Sequence, residues 1–312
     1  MKKINLMIPL AFLSILTFHC ANEEATVKSD KTINFSAKIG TETFSCATAT
    51  YSGLGSGAND TITQKDFRFY IHDVKLSGSN GTDYSLSLNQ DGIWQYNSVV
   101  LLDFEDGTGN CTGTTAPTTG TNSQVKGSVE MPSGVSITGI KFKLGVPLSL
   151  NHNDRASAPA PLNNTGLYWA WSSGYKFARL DFDSQRFDGN PDATTAAFNI
   201  HLGSTRCNAS GTTASTSCTD ENRPEISLTY TEGQTVVADL KKLLEDTDLA
   251  TANAAGAPGC MSGNNDPECR SVLNNFGINF SYNGSSTARG LSDGSTTIQT
   301  YNTSGQKFFR IE

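Results

Sequence analysis

"ITGIKFKLGVPLSL" runs from Ile137 to Leu150. Ile140, Phe142, Leu144 and Val146 fall on one side of a two-residue period, with Lys141 and Lys143 on the other. This is the pattern of a strand with one buried and one wet face. "AAFNIHL", Ala196 to Leu202, repeats it: Phe198, Ile200 and Leu202 share a face opposite Asn199 and His201. Further β-type runs are Ile33–Ile39, Phe67–Leu76, Trp94–Phe104, Gln124–Met131, Tyr175–Phe182, Glu225–Tyr230, Gly277–Tyr282 and Lys307–Ile311. Clusters of Gly, Asn, Asp, Ser and Thr separate them. So many short strands predict an all-β fold, an antiparallel β-sandwich with long loops. One short helix is expected where Val237, Leu240, Leu243 and Leu244 follow a 3.6-residue period. No internal repeat or second core is visible, so residues 33–312 read as one domain.

Lys2 and Lys3 precede an apolar run, Ile4 to Phe18, and then Cys20. Residues 1–19 read as a secretory signal peptide, too short for a spanning helix of about 20 apolar residues. "LTFHC" is a loose lipobox whose His19 stands where a small residue is usual. Lipidation of Cys20 would anchor an exported chain in a membrane, and the polar residues 20–32 would be its tether.

Cys46, Cys111, Cys207, Cys218, Cys260 and Cys269 remain. An even count in an exported chain predicts about three disulfides. Cys207 with Cys218 and Cys260 with Cys269 are close enough to close local loops, leaving Cys46 for Cys111. No CxxC spacing occurs, which argues against a zinc knuckle, a redox pair and attached haem. The net charge is −7, and no basic stripe points to nucleic acid.

HExxH, GxSxG and P-loop signatures are absent. "DFEDGTGN" (Asp103–Asn110) clusters oxygen ligands suited to calcium but departs from the EF-hand pattern. "FDGNPD" (Phe187–Asp192) is a similar acidic turn. Three histidines follow the signal: His72 beside Asp73 in a strand, His152 in "NHND", and His201 on the face away from Phe198. A strand histidine is most often half-buried and hydrogen-bonded, and a metal site needs neutral imidazoles brought together and oriented by other groups. Asp73 and Asp154 are local candidates for such orientation. Met131 and Met261 offer thioethers, although packing is the commoner role. Two of the three tryptophans, Trp169 and Trp171, sit one residue apart in "YWAWSSGYKF", while Trp94 lies in "DGIWQ". Large aromatics at such spacing ordinarily pack a core or an interface.

"FRFYIHDVKL", "DGIWQYNSVVLLDFEDGTGNC", "FKLGVPLSLNHND" and "LYWAWSSGYKFARLDFD" follow in an order that resembles the MbnP-like proteins, the four-Cys members of the metallo-mystery pair. The resemblance implies an exported β-sandwich in the periplasm or on the outer-membrane surface. It implies copper bound through histidines, here His72, His152 and His201. It also implies a partner, a di-haem enzyme of the MauG and cytochrome-c-peroxidase type, that oxidises a tryptophan to kynurenine. Trp169 and Trp171 are the favoured targets, Trp94 the rival, and Tyr175 a possible relay. The haems would belong to the partner, and this chain would be its substrate rather than an enzyme. Six cysteines exceed the family's four, and Cys207 and Cys218 look like the additional pair. The competing reading is a metal-free adhesion or ligand-binding sandwich, since this architecture hosts many functions.

Overall fold

A computed structural model describes residues 25–48, 50–113, 120–170, 172–184, 196–208, 214–250, 258–263, 266–280 and 299–312. Two sheets pack face to face. In the first, Thr26–Ile39 lies between Gln124–Pro132, antiparallel to it, and Thr235–Asp239, parallel to it. Phe309–Ile311 and Ser87–Leu88 close the edges. The second sheet is built on one long strand, Asp60–Gly78. Its central path runs Glu225–Thr229, Ile137–Leu144, Asp60–Gly78, Ala178–Ser184, Ala196–Leu202 and Gly259–Cys260. Pairing is mostly antiparallel, but Thr26–Ile39 with Thr235–Asp239 and Ala196–Leu202 with Gly259–Cys260 are parallel. The purely antiparallel expectation is corrected at those two places.

The alternation does what it implies. Ile140, Phe142 and Leu144 are buried, while Lys141 turns out to an ion pair with Asp83 at 2.7 Å. Ile33, Phe35, Ala37 and Ile39 are buried from the opposing sheet. Phenylalanines join the layers: Phe35 meets Phe142 at 5.8 Å, and Phe309 meets Phe142 at 5.1 Å and Phe69 at 5.5 Å. Edge-to-face pairs of this kind add about 0.5–1.5 kcal/mol each beyond the area they bury.

Several boundaries differ from the sequence reading. The first strand begins at Thr26, inside the segment read as tether. The Ile137–Leu150 run ends as a strand at Leu144, because Gly145 has φ +109° and Pro147 leads into a one-turn helix, Leu148–Asn151. Trp94–Phe104 is a hairpin, Gln95–Tyr96 with Val99–Asp103, turning at Asn97 with φ +52°. Val237 belongs to a strand, and the expected helix is only Leu240–Leu243, capped by the Asp239 carboxylate. A third helix, Cys269–Asn275, was not expected. It is seven residues long and carries only Val272 and Leu273 as apolar signal. In the Gly277–Tyr282 region the described residues form an isolated bridge, Ile278 to Tyr301, in place of a strand.

The three disulfides are Cys46–Cys111, Cys207–Cys218 and Cys260–Cys269. Cys20, the signal segment and "FDGNPD" lie outside the described residues. Among the described residues no helix is long and apolar enough to cross a membrane.

Candidate functional site

His201 sits on Ala196–Leu202, directly opposite Arg179 on Ala178–Ser184. Its Nε2 is 2.8 Å from Asp181 Oδ1. The other Asp181 oxygen accepts from Arg179 Nε at 2.7 Å, and the same nitrogen lies 3.1 Å from Asp66 Oδ2. Asp66 in turn holds the fully buried Arg68, whose Nη1 is 3.4 Å from Glu105. His201 thus ends a run of alternating charges across the sheet. Burial pushes the Asp181 carboxyl up, but the bonds and charges of His201 and Arg179 outweigh it and hold the group below the usual range. An ionised Asp181 takes the Nε2 proton as a hydrogen bond, which leaves Nδ1 as the ring nitrogen able to meet a metal.

Trp169 lies on the short strand Tyr168–Ala170, paired with Gly174–Tyr175. Its ring centroid is 6.3 Å from that of His201, tilted by 59°. Gly203 makes this approach possible, because a Cβ there would collide with the indole and with the Tyr175 carbonyl. The half-buried indole lines a cavity of about 470 Å³ together with Ser172, Ser204, Thr205, Cys207 and Met261. Tyr175 is buried, edge-on to Tyr168 at 4.9 Å and to Tyr70 at 5.9 Å.

His152 follows the Leu148–Asn151 turn and is buried. Its Nε2 is 3.1 Å from Asn151 Nδ2 and 3.4 Å from Cys218 Sγ. His72 is buried on the long strand, with Nδ1 2.8 Å from the Gly145 carbonyl. Burial pulls its pKa down to about 4, against the opposing pull of Asp73. Nδ1 therefore donates to Gly145, and Nε2 is the lone-pair nitrogen. A second cavity of about 350 Å³ joins His72 with Lys143, Glu221, Arg223 and Tyr301.

The three histidines do not form a single ligand set. Among the described residues, the only group of three His, Cys, Asp or Glu donors drawn together within 4.8 Å is His152 with Cys207 and Cys218. The orienting groups also differ from the local candidates. Asp73 stays 3.9 Å from His72, and the Gly145 carbonyl orients that ring instead. Asp154 receives the Ala156 N–H, so it serves its own turn. Asp181 was missed because it is 20 residues from His201 and becomes its neighbour only through strand pairing. For copper, His72 presents a neutral ring anchored at Nδ1 by Gly145, and His201 a ring anchored at Nε2 by Asp181, an arrangement that suits a ligand.

Met131 is buried in its strand, whereas Met261 reaches the Trp169 cavity. Trp94 is partly buried, and its backbone N–H donates to Asp91 Oδ1 at 2.7 Å. Trp171 lies outside the described residues. The acids of Asp103–Asn110 are engaged by their own loop: Asp103 takes the Glu105 N–H, Glu105 that of Gly107, and Asp106 that of Thr108.

Fold and site together define a disulfide-clipped, two-sheet β protein that seats an indole beside an oriented imidazole at a cavity. The MbnP family profile matches residues 28–262, and the chain belongs to that family. The solved structure of MbnP from Methylosinus trichosporium is similar at a TM-score of 0.73 and 25% identity, over 91% of this chain and 98% of that one. No curated protein matches the chain.

Proposed function

We propose that this is an exported copper-binding protein, lipid-anchored through Cys20, in the periplasm or on the outer-membrane surface. In this reading its role is copper handling, and it is the substrate of a di-haem MauG/cytochrome-c-peroxidase-like partner, not an enzyme. Copper is held by at least two of His72, His152 and His201, and a tryptophan becomes kynurenine. The observation that carries the reading is Trp169, partly accessible and 6.3 Å from His201 beside a cavity. Ring opening would replace an indole N–H, which only donates, with an aryl amine and a ketone oxygen able to meet a metal.

The partner's haem supplies the oxidising power. This chain supplies position: Gly203 gives the indole its place, and Asp181 fixes the ring of His201 so that Nδ1 is the donor. Family membership and the indole–imidazole pair support the reading.

Tandem mass spectrometry of the protein made with and without the partner is the test, followed by copper titration of wild type and the His72→Ala/His152→Ala/His201→Ala variant. We expect kynurenine at Trp169 only with the partner, and copper binding lost in the triple variant. Intact indoles at Trp94, Trp169 and Trp171 beside an active partner would refute the modification. Copper binding unchanged in the triple variant would refute the histidine site, and a wild type that takes up no copper would favour a metal-free sandwich function.

A further inference from the structure

His152 Nε2 and the sulfurs of Cys207 and Cys218 lie within 4.8 Å of one another, yet the sulfurs are bonded to each other. We propose that this disulfide is a redox-gated metal site: opened by a dithiol, its two sulfurs and His152 Nε2 take up a thiophilic ion of the Cu(I) or Zn(II) class. The site goes beyond the histidine copper site proposed above and needs none of its kynurenine chemistry.

The first support is the ribbon. Cys207 and Cys218 stand directly opposite each other on the paired strands Thr205–Cys207 and Cys218–Asp220. That pairing has fastenings besides sulfur. Asn208 N–H donates to the Ser217 carbonyl at 3.0 Å, and the Asn208 side-chain oxygen accepts from the Thr216 and Ser217 N–H groups. Arg206 grips Asp220 with two bonds of 2.8 Å. Opening the disulfide therefore leaves the sulfurs facing one another. Thiolates about 2.3 Å from a shared ion stand about 3.8 Å apart, so the two sulfurs, bonded in the oxidised protein, part on reduction while staying opposite each other on the ribbon.

The second support is the protonation pattern of His152. The Tyr175 N–H donates to Asn151 Oδ1 at 2.9 Å, which identifies the Asn151 atom nearest the imidazole as the amide nitrogen. That nitrogen can only donate, so Nε2 accepts from it and is the unprotonated ring nitrogen. The same nitrogen lies 3.4 Å from Cys218 Sγ, so an ion seated against the sulfurs would take the place of the Asn151 hydrogen bond. After reduction the same geometry serves a thiol proton or a metal.

The third support is access. Cys46, Cys111, Cys218, Cys260 and Cys269 are all buried, but Cys207 is only partly buried and lines the Trp169 cavity with Met261. One thiolate of the dithiol attacks Cys207 Sγ, the S–S bond breaks, and Cys218 leaves as a thiolate that takes up a proton. The second thiolate of the reagent attacks its own sulfur in the mixed disulfide and frees Cys207, which is protonated in turn. Two electrons and two protons pass to the protein, and the reagent becomes a cyclic disulfide. Metal binding then releases both protons. Two thiolates and an imidazole favour a soft or borderline ion.

The experiment uses the mature protein, oxidised or treated with dithiothreitol and desalted without air, with Cd(II) as the probe. Alkylation mapping should find free thiols at Cys207 and Cys218 before any at the other four cysteines. The reduced protein should then bind one Cd(II) per chain with a sulfur-to-cadmium ultraviolet band that the oxidised protein lacks. Cys207→Ser/Cys218→Ser should abolish the band, and His152→Ala should weaken binding at least tenfold with both thiols still present. Should the double-serine protein fail to fold, the reduced wild type and His152→Ala decide. Thiols appearing first at another pair, no band from a reduced protein with both thiols free, or unchanged affinity in His152→Ala would each overturn the proposal. Copper uptake by the oxidised protein reads the histidine site alone, so the two readings fail separately.

Discussion

His72 has a measurable consequence at the scale of one residue. Burial lowers its pKa to about 4 in the folded chain, whereas an unfolded histidine titrates near 6.5. Between those values the unfolded chain holds a proton that the folded chain refuses. Stability must therefore fall as pH drops from about 6.5 to about 4, by up to about 3 kcal/mol, and the contribution is constant above that window. His72→Asn places an amide where Nδ1 donates to Gly145 and removes the titration. Urea midpoints of the metal-free proteins between pH 4.5 and 7.5 should show a shallower slope in the variant, and parallel slopes would contradict the assignment. Individual residues were only partly legible in the sequence. His72, His152 and His201 were visible as chemistry-bearing side chains. Their orienting groups were not, because Gly145 and Asp181 reach them through tertiary packing and cross-strand pairing.

Elements were more legible than residues wherever one face is buried. Ile140, Phe142 and Leu144 alternate with lysines, and a slip of one residue would reverse every side chain, so pattern and register agree. The signal failed where backbone geometry intervened, at Gly145 and Asn97, and where an element was too short to show a period, as in Cys269–Asn275. Parallel pairing was invisible because alternation says nothing about strand direction. The close seat of the Tyr168–Ala170 strand against Gly203 is likewise tertiary. A methyl group at Gly203 would press on the Trp169 ring and stand 2.8 Å from the Tyr175 carbonyl. The ring borders a cavity and can swing, but the carbonyl belongs to paired backbone. Gly203→Ala should cost about 1–3 kcal/mol by overpacking. In a Trp94→Phe/Trp171→Phe background it should also shift Trp169 emission to the red as the indole moves into solvent. An unchanged spectrum would mean that the glycine does not hold the ring in place.

At the scale of the whole molecule, the three disulfides fasten very different things. Cys46–Cys111 spans 65 residues and is buried, joining the segment before Tyr51–Leu54 to the one after Val99–Asp103. Cys260–Cys269 spans 9 residues and ties an edge strand of the second sheet to the Cys269–Asn275 helix. Cys207–Cys218 spans 11 but clips a ribbon that forms its own two-stranded sheet. Loop-closure entropy assigns about 4 kcal/mol to the first and about 3 kcal/mol to each of the others. For the ribbon that figure is a ceiling, because a small peripheral unit can open without global unfolding, and the cost of losing its clip is then capped by the local opening free energy. Paired Cys→Ser variants should therefore rank with Cys46/Cys111 most destabilised, Cys260/Cys269 next, and Cys207/Cys218 least, at about 1–2 kcal/mol. Denaturant midpoints at fixed pH read the order directly. If Cys207→Ser/Cys218→Ser cost as much as the Cys46/Cys111 pair, the ribbon would be integral to the cooperative core. Opening its disulfide would then unfold the protein before it could expose a metal site.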